Sequence, residues 1–260
     1  MNTRMDSYIF VHLMGGLGNQ LFQYAAGLLH QKVNGGKLYL EKAKNSHDNT
    51  DYRNEIFTKG EKYDKQLPIH ISLYQENGFV SWNPENYKVP ILLLYGYFQN
   101  YPSLKPILPS FRIHMLDMLK EKRNAMKEKY NVKENSGFLH VRRGDYLNVS
   151  SVVTGLDYYK KAMLNVKTNI TKWYIFSDDI HWCIKQDLFK NLNPIFVSEK
   201  DPLLTISLMC EIDGAAIIAN STFSWMGAYL AVGTKDSVIY PKLWINPGNP
   251  DLFPSEWIGI

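Results

Sequence analysis

The 260-residue chain holds only two cysteines, Cys183 and Cys210, so neither a disulfide framework nor a zinc ligand set is visible. It lacks any stretch near the ~18 apolar residues that cross a bilayer. The apolar run YIFVHLM at 8–14 has no cleavage-type pattern after it and reads as a buried strand rather than a signal peptide, which makes cytoplasmic residence the expectation. A strong charge surplus is missing too: 29 basic against 25 acidic residues gives +4. That balance falls short of the basic stripe of a nucleic-acid binder and suits a small anionic ligand, or contact with an anionic membrane surface at the inner face. Neither H-E-x-x-H nor G-x-G-x-x-G nor a P-loop lysine occurs, and no repeat of fixed period is evident.

What is present is alternation. The apolar fraction of 45% supports a packed globular protein. The run at 8–14, the turn GGLGN and a helical pattern over 20–33 open an α/β unit, followed by a strand at 37–41. Residues 43–90 are polar and punctuated, read as long loops with short helices; 90–98 reads as a strand, and 114–131 as a charged amphipathic helix suited to bridge two halves. Thereafter strands at 136–141, 172–177, 194–198, 214–219 and 237–241 alternate with helices at 156–168, 178–190, 202–213 and 221–232. Short apolar strands between helices imply a parallel sheet covered on both faces. The expectation is two α/β units in tandem, with their boundary within 110–135.

Ligands in such sheets sit beyond the carboxyl ends of the strands. Three motifs fall there: HVRRGDY (140–146), SDD (177–179) and NSTFSW (220–225). Arg142 and Arg143 offer planar donor forks matched to phosphate oxygens; alternatively one pairs with Asp145 and the other lies on the surface. His140 is a ligand or a satisfied core histidine. Asn220, Ser221, Thr222 and Ser224 bring hydroxyls and amides to a helix start, where they bind an anion or simply cap. Asp178 and Asp179 either cap their helix or meet a ribose or base. The glycines of GGLGN, Gly16 and Gly18 among them, suggest close backbone approach, and Asn19 and Gln20 add polar groups beyond what a turn needs. No spaced D-x-D advertises a metal, so a bound diphosphate would have arginine as its counter-cation and no metal is called for.

Taken in order along the chain, GGLGNQLFQYAAG (15–27), GYFQNY (96–101), LHVRRGDYL (139–147), DYYKKAM (157–163), FSDD (176–179) and IIANSTFSWMGAYL (217–230) resemble the α-1,2-fucosyltransferases of glycosyltransferase family 11. The resemblance implies an α/β, GT-B-like architecture: two Rossmann-type domains facing a central cleft, an acceptor-side domain over 1–120 and a donor-binding domain over 121–260. It implies inverting, metal-independent transfer of fucose from GDP-β-L-fucose to a galactose-terminated acceptor in surface polysaccharide (O-antigen) or oligosaccharide synthesis. By the H-x-R motif of related fucosyltransferases, His140 lies near guanine and Arg142 at the pyrophosphate, supported by Arg143 and Asp145. Ser221, Thr222 and Phe223 contact phosphate, Ser224 shares their turn, and Asn19 faces the cleft. The catalytic set is then Arg142, Asp145 and Asn19.

Core-fucosylating relatives carry a glutamate ten residues after the motif histidine, where Ser150 stands here. Asp145 is the first substitute as general base and His140 the second, with a dissociative route needing no strong base as the third possibility. Met226 replaces a second aromatic of the family pattern, and Asp201 is a weaker guess for a guanine partner. Loops within 43–90 and GYFQNY are expected to select the acceptor. Two alternatives stay open: a GT-B transferase using another sugar nucleotide, and a non-catalytic nucleotide-sugar or glycan-binding module. The sequence assigns no oligomeric state.

Overall fold

The computed structural model describes residues 7–44, 50–76, 80–148, 154–233, 237–244 and 250–260. The chain divides into two compact units, Met1–Met118 with Asp251–Phe253, and Leu119–Pro250 with Pro254–Ile260. Among the described residues no helix is long and apolar enough to cross a membrane.

The first unit contains β1 (Tyr8–Met14), α1 (Leu17–Asn34), β2 (Lys37–Lys44), β3 (Glu61–Tyr63), β4 (Ser72–Gln75), β5 (Ile91–Tyr95), α2 (Tyr101–Leu104) and α3 (Leu108–Met118). Its five strands run parallel in the order β3-β2-β1-β5-β4. Side chains alternate across β1: Ile9, Val11 and Leu13 are buried on the face that receives α1, where a Cβ on Gly27 would come within 2.6 Å of Val11 and 2.9 Å of Leu38. Tyr8, Phe10 and His12 point to the other face. Two expectations change here. The 43–90 stretch, read as loops with short helices, contributes β3 and β4. These strands are only three and four residues long, too short and too polar to show a period. Helix α1 begins at Leu17 rather than 20, so Gly18 and Asn19 belong to its first turn and Gly16 is its N-cap.

The second unit contains α4 (Lys120–Lys129), β6 (Ser136–Val141), α5 (Leu156–Met163), β7 (Lys172–Ser177), α6 (Ile180–Lys185), α7 (Asp187–Lys190), β8 (Pro194–Val197), α8 (Pro202–Glu211), β9 (Ala215–Ile217), α9 (Thr222–Tyr229), β10 (Ser237–Tyr240) and β11 (Ile258–Gly259). The helix expected over 114–131 is two, α3 and α4, separated at Leu119, whose ψ of 0° ends the hydrogen-bond ladder. The helix expected over 178–190 likewise breaks at Gln186, which takes an extended conformation. The six parallel strands run β11-β10-β9-β6-β7-β8. Numbered within the unit, that is the doubly wound order 3-2-1-4-5-6 read from one edge, with its topological switch point between β6 and β9. Every residue of β6 is buried, as a central parallel strand requires. Leu139, Val141, Ile175, Ile217 and Ile239 form the core with Tyr159 and Phe189.

Candidate active site

The carboxyl ends of β6, β7 and β9 bring HVRRGDY, SDD and NSTF together in the second unit. The register sets this up: His140 lies opposite Phe176, Val141 opposite Ser177, and Leu139 opposite Ile217. Beyond Val141 the chain leaves the sheet, and Arg142 and Arg143 meet aspartates delivered by β7. Arg142 pairs with Asp178 through Nη1 at 3.0 Å and with Asp145 through Nη2 at 2.7 Å. The Arg143 backbone N–H donates to Asp178 Oδ1 at 2.8 Å, and its side-chain Nε donates to Asp179 Oδ2 at 3.1 Å. Asp178 therefore grips both arginines at once. A Cβ on Gly144 would lie 2.6 Å from Asp178 Oδ2, so the loop closes this tightly only because residue 144 has no side chain.

Two aromatic residues absent from the sequence reading complete the support. The Arg143 guanidinium lies 4.0 Å over the Trp182 ring, and the Arg142 guanidinium 5.5 Å over the Tyr146 ring, within the range of cation–π attraction. The Tyr146 hydroxyl donates to the Asn220 carbonyl at 3.0 Å, tying the arginine loop to the turn after β9, and burial raises its pKa to about 12. Tyr146 stands inside the quoted motif and was readable there; Trp182, three residues after Asp179, carried no local signal.

His140 is 6% exposed, and its Nδ1 has no hydrogen-bond partner among the described residues. Burial, with the Arg142 charge adding to it, lowers its pKa to about 3. The ring is therefore neutral at physiological pH, able to exchange a hydrogen bond with a ligand but poorly suited to take up a proton. Its carbonyl accepts from the Tyr159 hydroxyl at 3.0 Å.

Ser221 is the N-cap of α9 but its side chain makes no capping bond. Its hydroxyl is therefore not consumed by capping. Ser224 is different: fully buried, it donates to the Ser221 and Ala219 carbonyls at 3.2 and 3.5 Å, so its hydroxyl serves the turn itself. Phe223 lies 6.2 Å from His140, ring to ring. Asp179 does cap α6, accepting from Trp182 N–H at 3.1 Å, and Asp201 caps α8, accepting from Leu203 N–H at 2.7 Å. Met226 is fully buried, and Ser150 lies outside the described residues.

Gly16, Gly18 and Asn19 belong to the first unit. Gly15 takes a positive φ of 72°, the region glycine enters without strain, and the turn after β1 is held by side chains of α1. Gln20 donates to the Gly15 carbonyl at 2.8 Å, and Gln23 brackets Met14, accepting from its N–H at 3.0 Å and donating to its carbonyl at 3.3 Å. The reading of Gln20 as surplus to the turn is thus corrected: it is part of the turn. Asn19 Oδ1 accepts from Gln99 at 3.1 Å, joining GGLGN to GYFQNY. Among the described residues no group of three His, Cys, Asp or Glu side chains is placed to hold a metal ion.

Two parallel-sheet units, the second in doubly wound order with polar motifs gathered at its switch point, define the GT-B-like class of α/β enzymes. The chain belongs to glycosyl transferase family 11, whose family model matches residues 2–260, and it is a glycosyltransferase. It is 29% identical to the O-antigen biosynthesis glycosyltransferase WbnK of Escherichia coli, over 95% of this chain and 99% of that protein. It is 28% identical to an alpha-1,2-colitosyltransferase of Escherichia coli over 98% and 99%, and 25% identical to galactoside 2-alpha-L-fucosyltransferase Sec1 of Mus musculus over 96% and 73%. Among solved structures, POFUT1 in complex with GDP-fucose is similar with a TM-score of 0.57 at 12% identity, covering 90% of this chain and 98% of that one. At that identity the likeness is one of fold.

Proposed function

We propose that the protein transfers L-fucose from GDP-β-L-fucose to a galactoside hydroxyl, forming an α-1,2 linkage with inversion and without a metal, in building a surface polysaccharide. One observation carries the reading: an arginine pair held at the β6/β9 switch point by Asp178 and Asp179, beside a Ser221 hydroxyl that makes no capping bond at the start of α9. The alpha-1,2 relatives and the GDP-fucose complex of the structural neighbour support the choice of linkage and donor.

The acceptor oxygen bonds to C1 of the fucosyl group as the C1–O bond to the diphosphate breaks; GDP departs with the electron pair, and the acceptor's hydroxyl proton passes to Asp145 or, in a dissociative route, to the departing diphosphate. Charge develops on the diphosphate. Arg142 and Arg143 are the cations assigned to meet it, with the Ser221 hydroxyl as a further donor. Neutral His140 fits a hydrogen-bonding partner of the guanine better than a base. Asn19 is assigned to substrate contact from the first unit. The test is a donor panel with the purified enzyme and a β-galactoside acceptor, with and without EDTA. The expected result is turnover with GDP-fucose unaffected by the chelator, and an Arg142→Ala variant that loses at least about tenfold in kcat. An Arg142→Ala enzyme with full activity removes the central claim. The colitosyltransferase relative favours a second reading, in which the donor carries colitose instead of fucose; a colitosyl donor in the same panel separates the two.

A further inference from the structure

On the sheet face opposite α1, the first unit has a cavity of about 470 Å³ that none of the motifs above explains. That volume lies within the range of small-molecule sites. Phe10 forms part of its wall, stacked on Tyr39 at 5.2 Å and meeting Tyr63 edge-on at 4.7 Å, while Tyr8 lies 6.2 Å from Tyr39. The three tyrosines are half-buried and offer ring surface to the opening. Among the described residues the Tyr8 and Tyr39 hydroxyls have no hydrogen-bond partner, so both are available to a ligand, whereas the Tyr63 hydroxyl donates to the Gln66 carbonyl.

The rim is charged but balanced. Lys62 and Lys65 stand against Glu61 and Asp64, two cations and two anions, and Asp64 is already paired with Arg53 at 2.7 Å. A zero sum selects against a nucleotide or a phosphorylated lipid and for a neutral ligand with many hydroxyls. Aromatic walls accept the C–H face of a sugar ring, and a rim of ammonium, carboxylate and phenol groups accepts its hydroxyls. We infer that this cavity binds a pyranose unit of the acceptor glycan, as a second saccharide site apart from the site of transfer. The identity of the ligand rests on the glycosyl-transfer reading; the cavity does not.

Position gives the site its use. Along β1 the cavity runs from the level of Tyr8, the first residue of the strand, to the level of His12, which Tyr63 reaches through Glu41, whereas GGLGN lies past the carboxyl end of β1. The far end of the cavity, at Tyr8, lies roughly 20 Å from Met14 at about 3.3 Å per residue. An oligosaccharide of several units reaches from GGLGN into the cavity, so the site favours long acceptors over short ones.

The experiment has two arms. Ligand-detected NMR titration with lacto-N-neotetraose, without donor, compares the wild type with Tyr39→Ala: the expected result is binding that weakens at least about tenfold in the variant at an unchanged melting temperature. Kinetics with GDP-fucose then compare lactose with the tetrasaccharide, and the variant is expected to raise KM for the tetrasaccharide while leaving kcat/KM for lactose alone. If Tyr39→Ala melts early, Lys65→Ala changes the rim and keeps the rings, and is expected to weaken tetrasaccharide binding several-fold. Equal binding by wild type and the folded variant, or no binding by the wild type, overturns the inference. Tyr39-dependent binding in an enzyme that turns over no GDP-fucose overturns the fucosyl-transfer reading instead and leaves the site standing.

Discussion

Asp145 shows how much a single side chain decides. Around the site two guanidinium groups face three carboxylates, those of Asp145, Asp178 and Asp179, so the ligand-free cluster has no positive surplus with which to attract a diphosphate. Asp178 and Asp179 are committed to the arginines and to α6, whereas the Asp145 side chain is 50% exposed. On the proposed reading, an incoming diphosphate displaces Asp145 from Arg142. Asp145→Asn is therefore expected to tighten GDP binding severalfold by calorimetry; an unchanged affinity with a collapsed kcat would mark it as the base. His140 and His30 give a second prediction. Burial lowers their pKa from 6.5 to about 3 and about 4, so the folded chain binds fewer protons than the unfolded one below pH 6.5. Stability is full above that pH and falls as pH drops toward 4, by up to ~1.4 kcal/mol per pH unit for each group. Urea unfolding at pH 7 and pH 5 measures it, and His30→Phe, which keeps an aromatic ring against Trp82, is expected to flatten the slope. The arginines were legible in the sequence because nothing apolar explains two of them after a buried strand. The pairing of one of them with Asp145, three residues on, was legible as well; Asp178 and Trp182 as partners were not, since they reach the arginines from the neighbouring strand and helix.

At the level of elements, strands β6 to β10 of the second unit were legible because each shows as a short apolar run between turn residues, whereas the two-residue edge strand β11 carries no such run and was not expected. The short strands β3 and β4 were not, because the backbone of their neighbours, and not their own pattern, makes them strands. The loop after β6 depends on glycine at 144 for steric reasons. A methyl group there meets Asp178 Oδ2 at 2.6 Å, and overpacking of that kind costs about 1–3 kcal/mol. Gly144→Ala is expected to lower the denaturation midpoint and to weaken GDP binding together; a variant with native stability and affinity would show that the loop has slack. Helix α4 is fixed to α8 by a nearly buried pair, Arg123 to Glu211 at 2.6 Å, with Lys127 at 3.3 Å. Its charged sequence thus reflects a specific docking as well as solvation.

For the whole molecule, a ligand held at the second unit's switch point stabilises the native state by mass action. GDP at a hundred times its dissociation constant is expected to add about 2.7 kcal/mol, a rise of several degrees in melting temperature, and Arg142→Ala is expected to abolish most of it. The division into two α/β units was legible from alternation alone, but the return of Asp251–Phe253 to the first unit was not: three residues carry no periodicity, and Leu252 is fully buried there. The polypeptide therefore crosses between units three times, after Met118, after Pro250 and after Phe253. For anyone building chimaeras between relatives to exchange acceptor preference, one splice point is not enough. A hybrid joined only at residue 118 plugs the recipient's first unit with a foreign tripeptide, and a matched graft has to carry residues 251–253 along with the amino-terminal half.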